Sequence, residues 1–161
     1  MSLNPSVRPK RSAFRAILFV CLALLGVVPF SHADEPTQKA RVLFEQYVAL
    51  YRAFDPAVAD LYSDQAKISN RRTYPTGEVR VLKLSGVEYK ALLRQVVTLA
   101  KARGDTNQYL NARYSVETSG VRIHLTRYSQ LKKYTSPMSL LVGPDQNGRW
   151  AVLEEQSESV P

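Results

Sequence analysis

Apolar residues recur every three or four positions between Lys39 and Phe54, which is the spacing of one face of an α-helix. Asp55-Pro56 interrupts this pattern, because a residue before proline is pushed out of the helical region while Asp caps, and Pro opens, a new helix. The sequence therefore predicts a long first helix followed by a short helix from Ala57 to Tyr62. The apolar positions of the first helix are Ala40, Leu43, Phe44, Tyr47, Tyr51 and Phe54.

Alternating residues then predict two strands, Ala66–Tyr74 and Val79–Leu84, joined by a turn that contains Pro and Gly. Ser85 and Glu88 have the spacing of a capping box, so a third helix should begin there and end before Gly104. The apolar face predicted for this helix consists of Tyr89, Leu92, Leu93, Val96, Val97 and Ala100.

The remainder of the chain alternates repeatedly and is punctuated by turn residues at Ser119-Gly120 and Asn147-Gly148. It predicts four further strands, Gln108–Glu117, Val121–Tyr134, Ser136–Gly143 and Arg149–Ser157. Helices early in the chain and a run of antiparallel strands late indicate an α+β domain, in which one sheet covers a layer of helices.

The first 33 residues have the pattern of a signal peptide. Basic residues precede the apolar run 16–30, and Ser31-His32-Ala33 follows as a small-x-small cleavage site. We expect cleavage after Ala33, which leaves a domain of residues 34–161 in the periplasm or secreted, and without membrane attachment. The alternative is a membrane anchor, but the run is shorter than the roughly 18–20 residues that span a bilayer.

Removal of this segment changes the charge and the available chemistry. Four of the 22 Lys and Arg residues precede residue 34, whereas all 14 Asp and Glu follow it, so residues 34–161 carry a net charge of +4. These charges are scattered, which argues against a nucleic-acid partner. Cys21 lies in the leader, so the domain has no disulfide or thiol chemistry, and we expect no metal and no cofactor.

The order of elements, the segment LYSDQA before the first strand and the final hairpin GPDQNGRWAVLEEQS resemble the nuclear transport factor 2-like superfamily. This superfamily includes ketosteroid isomerase, scytalone dehydratase and the SnoaL-like polyketide cyclases, and the resemblance covers essentially all of residues 34–161. It implies a half-cone, in which a curved, mainly antiparallel sheet wraps over about three helices. The short second helix then helps to close one end, and the open mouth often holds a small ligand.

The resemblance also implies a homodimer formed through the outer face of the sheet. Polar and aromatic residues follow one side of the longest predicted strand and would be covered by such pairing. They are Arg122, Thr126, Tyr128, Gln130 and Lys132.

The chemistry of the isomerase does not carry over to this sequence. That enzyme uses a carboxylate base with an oxyanion hole of Tyr and protonated Asp. Laid on the family pattern, the sequence puts Asn70 at the position of the base, and no carboxyl lies between Pro137 and Leu140, where the resemblance implies the second acid. A dehydratase pair of His and Asp is not evident either, because His124 has no Asp near it in the sequence. The missing acid–base set favours a non-catalytic domain.

Regular alternation in the last strand would put Trp150, Val152, Glu154 and Gln156 on one face. If Trp150 and Val152 pack inward, Glu154 and Gln156 point into the mouth of the half-cone. Glu154 is then the one candidate catalytic carboxylate. The alternative, which the sequence supports equally, is that Glu154 is an exposed residue at a sheet edge. Tyr47 is either a core aromatic or a ligand contact. The predicted ligand-binding set is Tyr47, Asn70, Trp150, Glu154 and Gln156.

Three functions remain open from the sequence. The first is an exported, non-catalytic domain that binds a small apolar or mixed-polarity ligand, or a protein partner. The second is an enzyme of the SnoaL-like or dehydratase type, with a different acid–base set drawn from Glu154, Tyr47 and Asn70. The third is a structural partner protein whose cavity is filled by its own side chains.

Overall fold

The structure is a computed structural model that describes residues 34–160. The predicted signal peptide, residues 1–33, therefore lies outside the described residues. The helices are α1 (Asp34–Ala53), a 3₁₀ helix (Pro56–Leu61) and α2 (Gly86–Arg103). The strands are β1 (Tyr62–Thr73), β2 (Val79–Ser85), β3 (Asn107–Glu117), β4 (Gly120–Ser129), β5 (Tyr134–Pro144) and β6 (Trp150–Ser159).

The six strands form one sheet in the order β2-β1-β6-β5-β4-β3. Every neighbouring pair is antiparallel except β1 and β6, which run parallel. The helices cover the concave face of the curved sheet. The predicted α+β half-cone is therefore confirmed.

The core lies between this concave face and the inner faces of the two α-helices. Tyr47 of α1 and Val97 of α2 are almost fully buried, as are Ile123 of β4 and Leu140 of β5. Each large apolar side chain buried in this way contributes about 1.5–3 kcal/mol to folding. The spacing seen in the sequence therefore fixes which sides of α1 and α2 face the sheet.

Local capping positions the helices as the sequence indicates. The Asp55 carboxylate accepts a hydrogen bond from the Ala57 amide at 2.8 Å and caps the 3₁₀ helix. Ser85 and Glu88 form the predicted capping box at the start of α2. Gly86 is required there by close packing, because a Cβ would lie 2.0 Å from the backbone oxygen of Ser63 in β1.

Two predicted boundaries are wrong. The short helix is 3₁₀ in type and ends at Leu61, so that Tyr62 begins β1. β4 ends at Ser129, because the Lys133 amide donates to the Ser129 carbonyl at 2.9 Å and Lys133 adopts a left-handed φ of 56°. Gln130 and Lys132 therefore belong to a turn and not to the outer face of the strand.

A β-bulge in β6 sets which side chains enter the half-cone. Leu141 and Val142 are adjacent in β5, yet they pair with Glu154 and Val152, so Leu153 is an extra residue in β6. An extra residue reverses the alternation that follows it. From this point onward the odd-numbered residues of β6 face the interior and the even-numbered ones face outward.

Candidate functional site

A cavity of about 390 Å³ lies between the concave face of the sheet and the helices α1 and α2. One wall is apolar and comes from β1, β2 and α2. It consists of Ile68, Leu82, Leu84, Leu92, Leu93, Val96, Val97 and Ala100. The opposite wall is aromatic and polar, so the cavity suits a ligand of mixed polarity.

Glu155 is a buried carboxylate in the wall of this cavity, with only 3% of its surface exposed. The hydroxyl of Tyr62 donates a hydrogen bond to Oε2, and the hydroxyl of Tyr89 donates to Oε1 at 3.3 Å. Burial raises the pKa of Glu155 above its usual value, and the bond from Tyr62 and the positive charge of Arg127 offset only part of this rise. The protonated form is therefore favoured relative to a Glu in water.

Three further tyrosines form a cluster beside this carboxyl group. The ring of Tyr47 lies 4.7 Å from that of Tyr51 and 5.5 Å from that of Tyr109, and all three line the cavity. Burial raises the pKa of each hydroxyl above its usual value. These hydroxyls remain protonated at neutral pH and can donate hydrogen bonds to a ligand.

The other end of the cavity is basic. Arg127 donates from Nη2 to the Glu158 carbonyl at 2.7 Å, and Arg72 donates from Nε to Ser159 Oγ at 3.3 Å. Lys132 Nζ lies 3.4 Å from the carbonyl oxygen of Val160. We refer to Arg72, Arg127 and Lys132, all of which line the cavity around the end of β6, as the basic end.

The structure separates the five residues predicted to line one pocket. Tyr47 and Asn70 do line the cavity. The Asn70 side-chain nitrogen donates to Ser157 Oγ at 2.9 Å, and its oxygen accepts from Ser159 Oγ at 2.9 Å. Trp150 packs instead against the core, with Lys39 Nζ 5.9 Å from its ring centroid.

Glu154 and Gln156 lie on the outer, convex face of the sheet, so their predicted place in the mouth is wrong. Arg122 Nη1 donates to Glu154 Oε1 at 2.8 Å, and Gln156 Nε2 donates to the same oxygen at 2.6 Å. Partial burial raises the pKa of Glu154, but the bonds from Arg122 outweigh it and leave the pKa below its usual value. The bulge at Leu153 is the cause, because it exchanges the faces of the residues that follow.

Sequence reasoning missed Glu155, which takes the interior position assigned to Glu154. The signal available was the pair Glu154-Glu155, because neighbouring residues of a strand point to opposite faces and one of the two had to face inward. Only the position of the bulge decides which of the two glutamates faces inward.

Within residues 34–160, no group of three or more His, Cys, Asp or Glu side chains is arranged to hold a metal ion.

In the part of the chain that the structure describes, no helix is both long enough and apolar enough to cross a membrane. No protein-family model and no curated protein matches the sequence. The structural comparisons, in contrast, give several matches.

A nuclear transport factor 2-like protein with a cystatin-like fold from Novosphingobium aromaticivorans is 17% identical with a TM-score of 0.55, and the match covers 78% of this chain and 82% of that one. A protein of unknown function with a cystatin-like fold from Nostoc punctiforme is 15% identical with a TM-score of 0.51, over 78% and 93% of the two chains. A candidate ketosteroid isomerase from Shewanella frigidimarina is 15% identical with a TM-score of 0.50, over 74% and 94%.

Identities this low show a common fold and not a common activity. The shared features are the curved sheet and the helices that cover its concave face. The described chain therefore has the nuclear transport factor 2-like, cystatin-like fold.

Proposed function

We propose that this chain is an exported, non-catalytic domain that binds a small ligand of mixed polarity in the cavity of the half-cone. The observation that carries the proposal is the cavity itself, because about 390 Å³ remains open between helices and a sheet whose surrounding core is packed. Cavities of this size, with apolar walls and a few convergent polar groups, hold small molecules. An interior filled by the chain's own side chains would leave no such space.

The hydrogen bonds of the polar residues support binding without catalysis. Each oxygen of Glu155 already accepts a bond from a tyrosine hydroxyl, of Tyr62 or of Tyr89. Asn70 is held by Ser157 and cannot act as a base at neutral pH. These groups can orient a ligand without taking part in a proton transfer.

Ligand screening by thermal shift tests the proposal with two matched variants of α2. Ala100 lines the cavity, whereas Ala91 is exposed on the same helix. A compound at about 100 times its Kd should stabilise the wild type by about 2.7 kcal/mol, a rise in Tm of about 10 °C. Ala100→Trp should abolish this rise and Ala91→Trp should retain it. An equal response of both variants would place the ligand elsewhere.

A second candidate function is an enzyme that uses Glu155 as a general acid. The raised pKa of this buried carboxyl favours it, because perturbed carboxyl groups in cavities are frequent proton donors. Incubation of the bound compound with the wild type and with Glu155→Gln, followed by mass spectrometry, separates the two functions. Turnover by the wild type that Glu155→Gln abolishes, with binding retained, would establish the enzyme.

A further inference from the structure

The cations of the basic end form no ion pairs within the described chain. Among the described residues, no carboxylate oxygen lies within 4.0 Å of the charged nitrogens of Arg72, Arg127 or Lys132. In addition, Nε of Arg127 is buried and has no hydrogen-bond acceptor. A buried donor without an acceptor is unfavourable by about 1–3 kcal/mol, so an acceptor supplied from outside the chain would stabilise this site.

Strand register directs the two arginines toward each other. Arg127 of β4 pairs with Ser136 of β5, and Arg72 of β1 pairs with Ser159 of β6. Because β5 and β6 are neighbours, the two guanidinium groups reach inward over the same two strands. Arg127 Nη2 lies 3.4 Å from Ser136 Oγ, and Arg72 Nε lies 3.3 Å from Ser159 Oγ. Two guanidinium groups and two hydroxyls therefore surround one space.

The remaining charges of the cavity leave an excess of positive charge. Its lining contains two carboxyl groups, Asp105 and Glu155, against the three cations of the basic end. Glu155 interacts electrostatically with Arg127 but forms no ion pair with it, and burial raises the pKa of Glu155, which favours its uncharged form. Within the described lining, three positive side chains therefore outnumber the carboxylates even when both Asp105 and Glu155 are ionised.

An apolar wall begins beside the basic end. Leu82 of β2 pairs with Asn70, which is the neighbour of Arg72 on the inner face of β1. The exposed side chains of Leu92 and Val96 continue the apolar wall along α2. A ligand held by its charge at the arginines would thus place its body against aliphatic side chains. Such a surface favours hydrocarbon over a second polar group.

We propose that the cavity binds an amphipathic anion, whose carboxylate or phosphate lies between Arg72 and Arg127 and whose apolar body lies along β2 and α2. Guanidinium groups bind both oxyanions through paired, charge-assisted hydrogen bonds. Lys132 adds positive charge at the mouth. This inference rests on the proposed function and specifies the class of its ligand.

Calorimetric titration of the domain with four ten-carbon probes tests the inference. The probes are decanoate, decyl phosphate, decan-1-ol and decylammonium, which share a chain and differ in the head group. We expect the two anions to bind at least about 10-fold more tightly than the alcohol, with no measurable binding of the cation. The ratio of the affinities for decanoate and decyl phosphate shows which oxyanion fits better.

Matched variants locate the head group. Arg72→Gln should weaken binding of the preferred anion about 10-fold and leave binding of decan-1-ol unchanged. Arg71→Gln removes the same charge from the neighbouring residue of β1, which faces outward, and should change neither affinity more than about twofold. Circular dichroism of both variants checks that the fold is retained.

Two outcomes would overturn the inference and have different meanings for the proposed function. Equal binding of alcohol and anions, unaffected by Arg72→Gln, would show an apolar binding site without anion selection and would leave the proposed function intact. Failure of all four probes, combined with no hit that depends on Ala100 in the thermal-shift screen, would reject both.

Discussion

The hydrogen bond between Tyr62 and Glu155 gives a prediction whose size and pH dependence follow from burial. Tyr62→Phe removes the donor to Oε2 while keeping the ring, and Glu155 is only 3% exposed. Loss of one partner of a buried hydrogen bond, here to an ionisable group, reduces the free energy of unfolding by about 1.5–3 kcal/mol. Tyr89→Phe removes a longer bond of 3.3 Å and should cost about 1 kcal/mol.

The effect of Tyr62→Phe should grow with pH. The pKa of Glu155 is higher in the folded protein than in the unfolded chain, so protonation of Glu155 stabilises the fold. This stabilisation is fully present at pH values below the pKa of the unfolded chain, and it is lost as the pH rises through the pKa of the folded protein. Removing the Tyr62 hydroxyl takes a donor from the ionised form and raises this pKa further. The loss of stability then extends to higher pH, at up to about 1.4 kcal/mol per pH unit.

Urea unfolding followed by the fluorescence of Trp150, the single tryptophan, measures these differences at about pH 5 and about pH 8. A double-mutant cycle with Glu155→Gln isolates the pair, because this substitution keeps the shape and removes the ionisation. We expect a coupling energy of about 1–2 kcal/mol at the higher pH. Additive effects within about 0.5 kcal/mol at both pH values would refute the argument.

Four further outcomes are expected. N-terminal sequencing of the protein expressed with its own leader should give Asp34 as the first residue of a periplasmic form, and recovery of the intact chain in membranes would mean an anchor. The purified domain should not isomerise a β,γ-unsaturated ketosteroid, because the family resemblance implies that Asn70 replaces the base, and rapid turnover in a spectrophotometric assay would contradict this. Tyr47→Phe should change ligand affinity in calorimetry, whereas Glu154→Gln on the convex face should not, and the reverse order would remove the site assignment. Light scattering should show a dimer formed through the outer face of the sheet that Tyr128→Glu converts to a monomer, and a monomeric wild type would exclude the pairing.

The helices and their ends could be predicted because their signals are local. The apolar spacing that includes Tyr47 and the capping box of Ser85 and Glu88 depend on neighbours within one or two turns. The structure places these residues as predicted. Local chemistry was therefore sufficient to predict which faces of α1 and α2 pack on the sheet.

The interior of the site could be predicted only in part, because it depends on pairing between strands distant in sequence. Tyr47 and Asn70 were placed in the cavity on the basis of the family resemblance. Glu154 was exchanged for Glu155, since the bulge is defined by the register with β5, which no local pattern of β6 contains. The basic end was missed for the same reason, because Arg72 and Arg127 meet only through the order of four strands.

The extra residue Leu153 makes the content of the cavity depend on the register between β6 and β5. Deletion of Leu153 would leave Val152 and Glu154 with their present partners in β5 and would keep Glu155 inside. If Leu153 were instead retained and paired with β5 as an ordinary residue, the rest of β6 would shift by one step, so that Glu154, Gln156 and Glu158 would turn inward and Glu155 outward. Such a shift of register would replace a single tyrosine-bonded carboxyl by two carboxylates and would place Glu158 beside Arg72 and Arg127. A relative of this fold with the same residues in its last strand but without the bulge would present the opposite face of that strand to its ligand, and its ligand preference could reverse without any substitution.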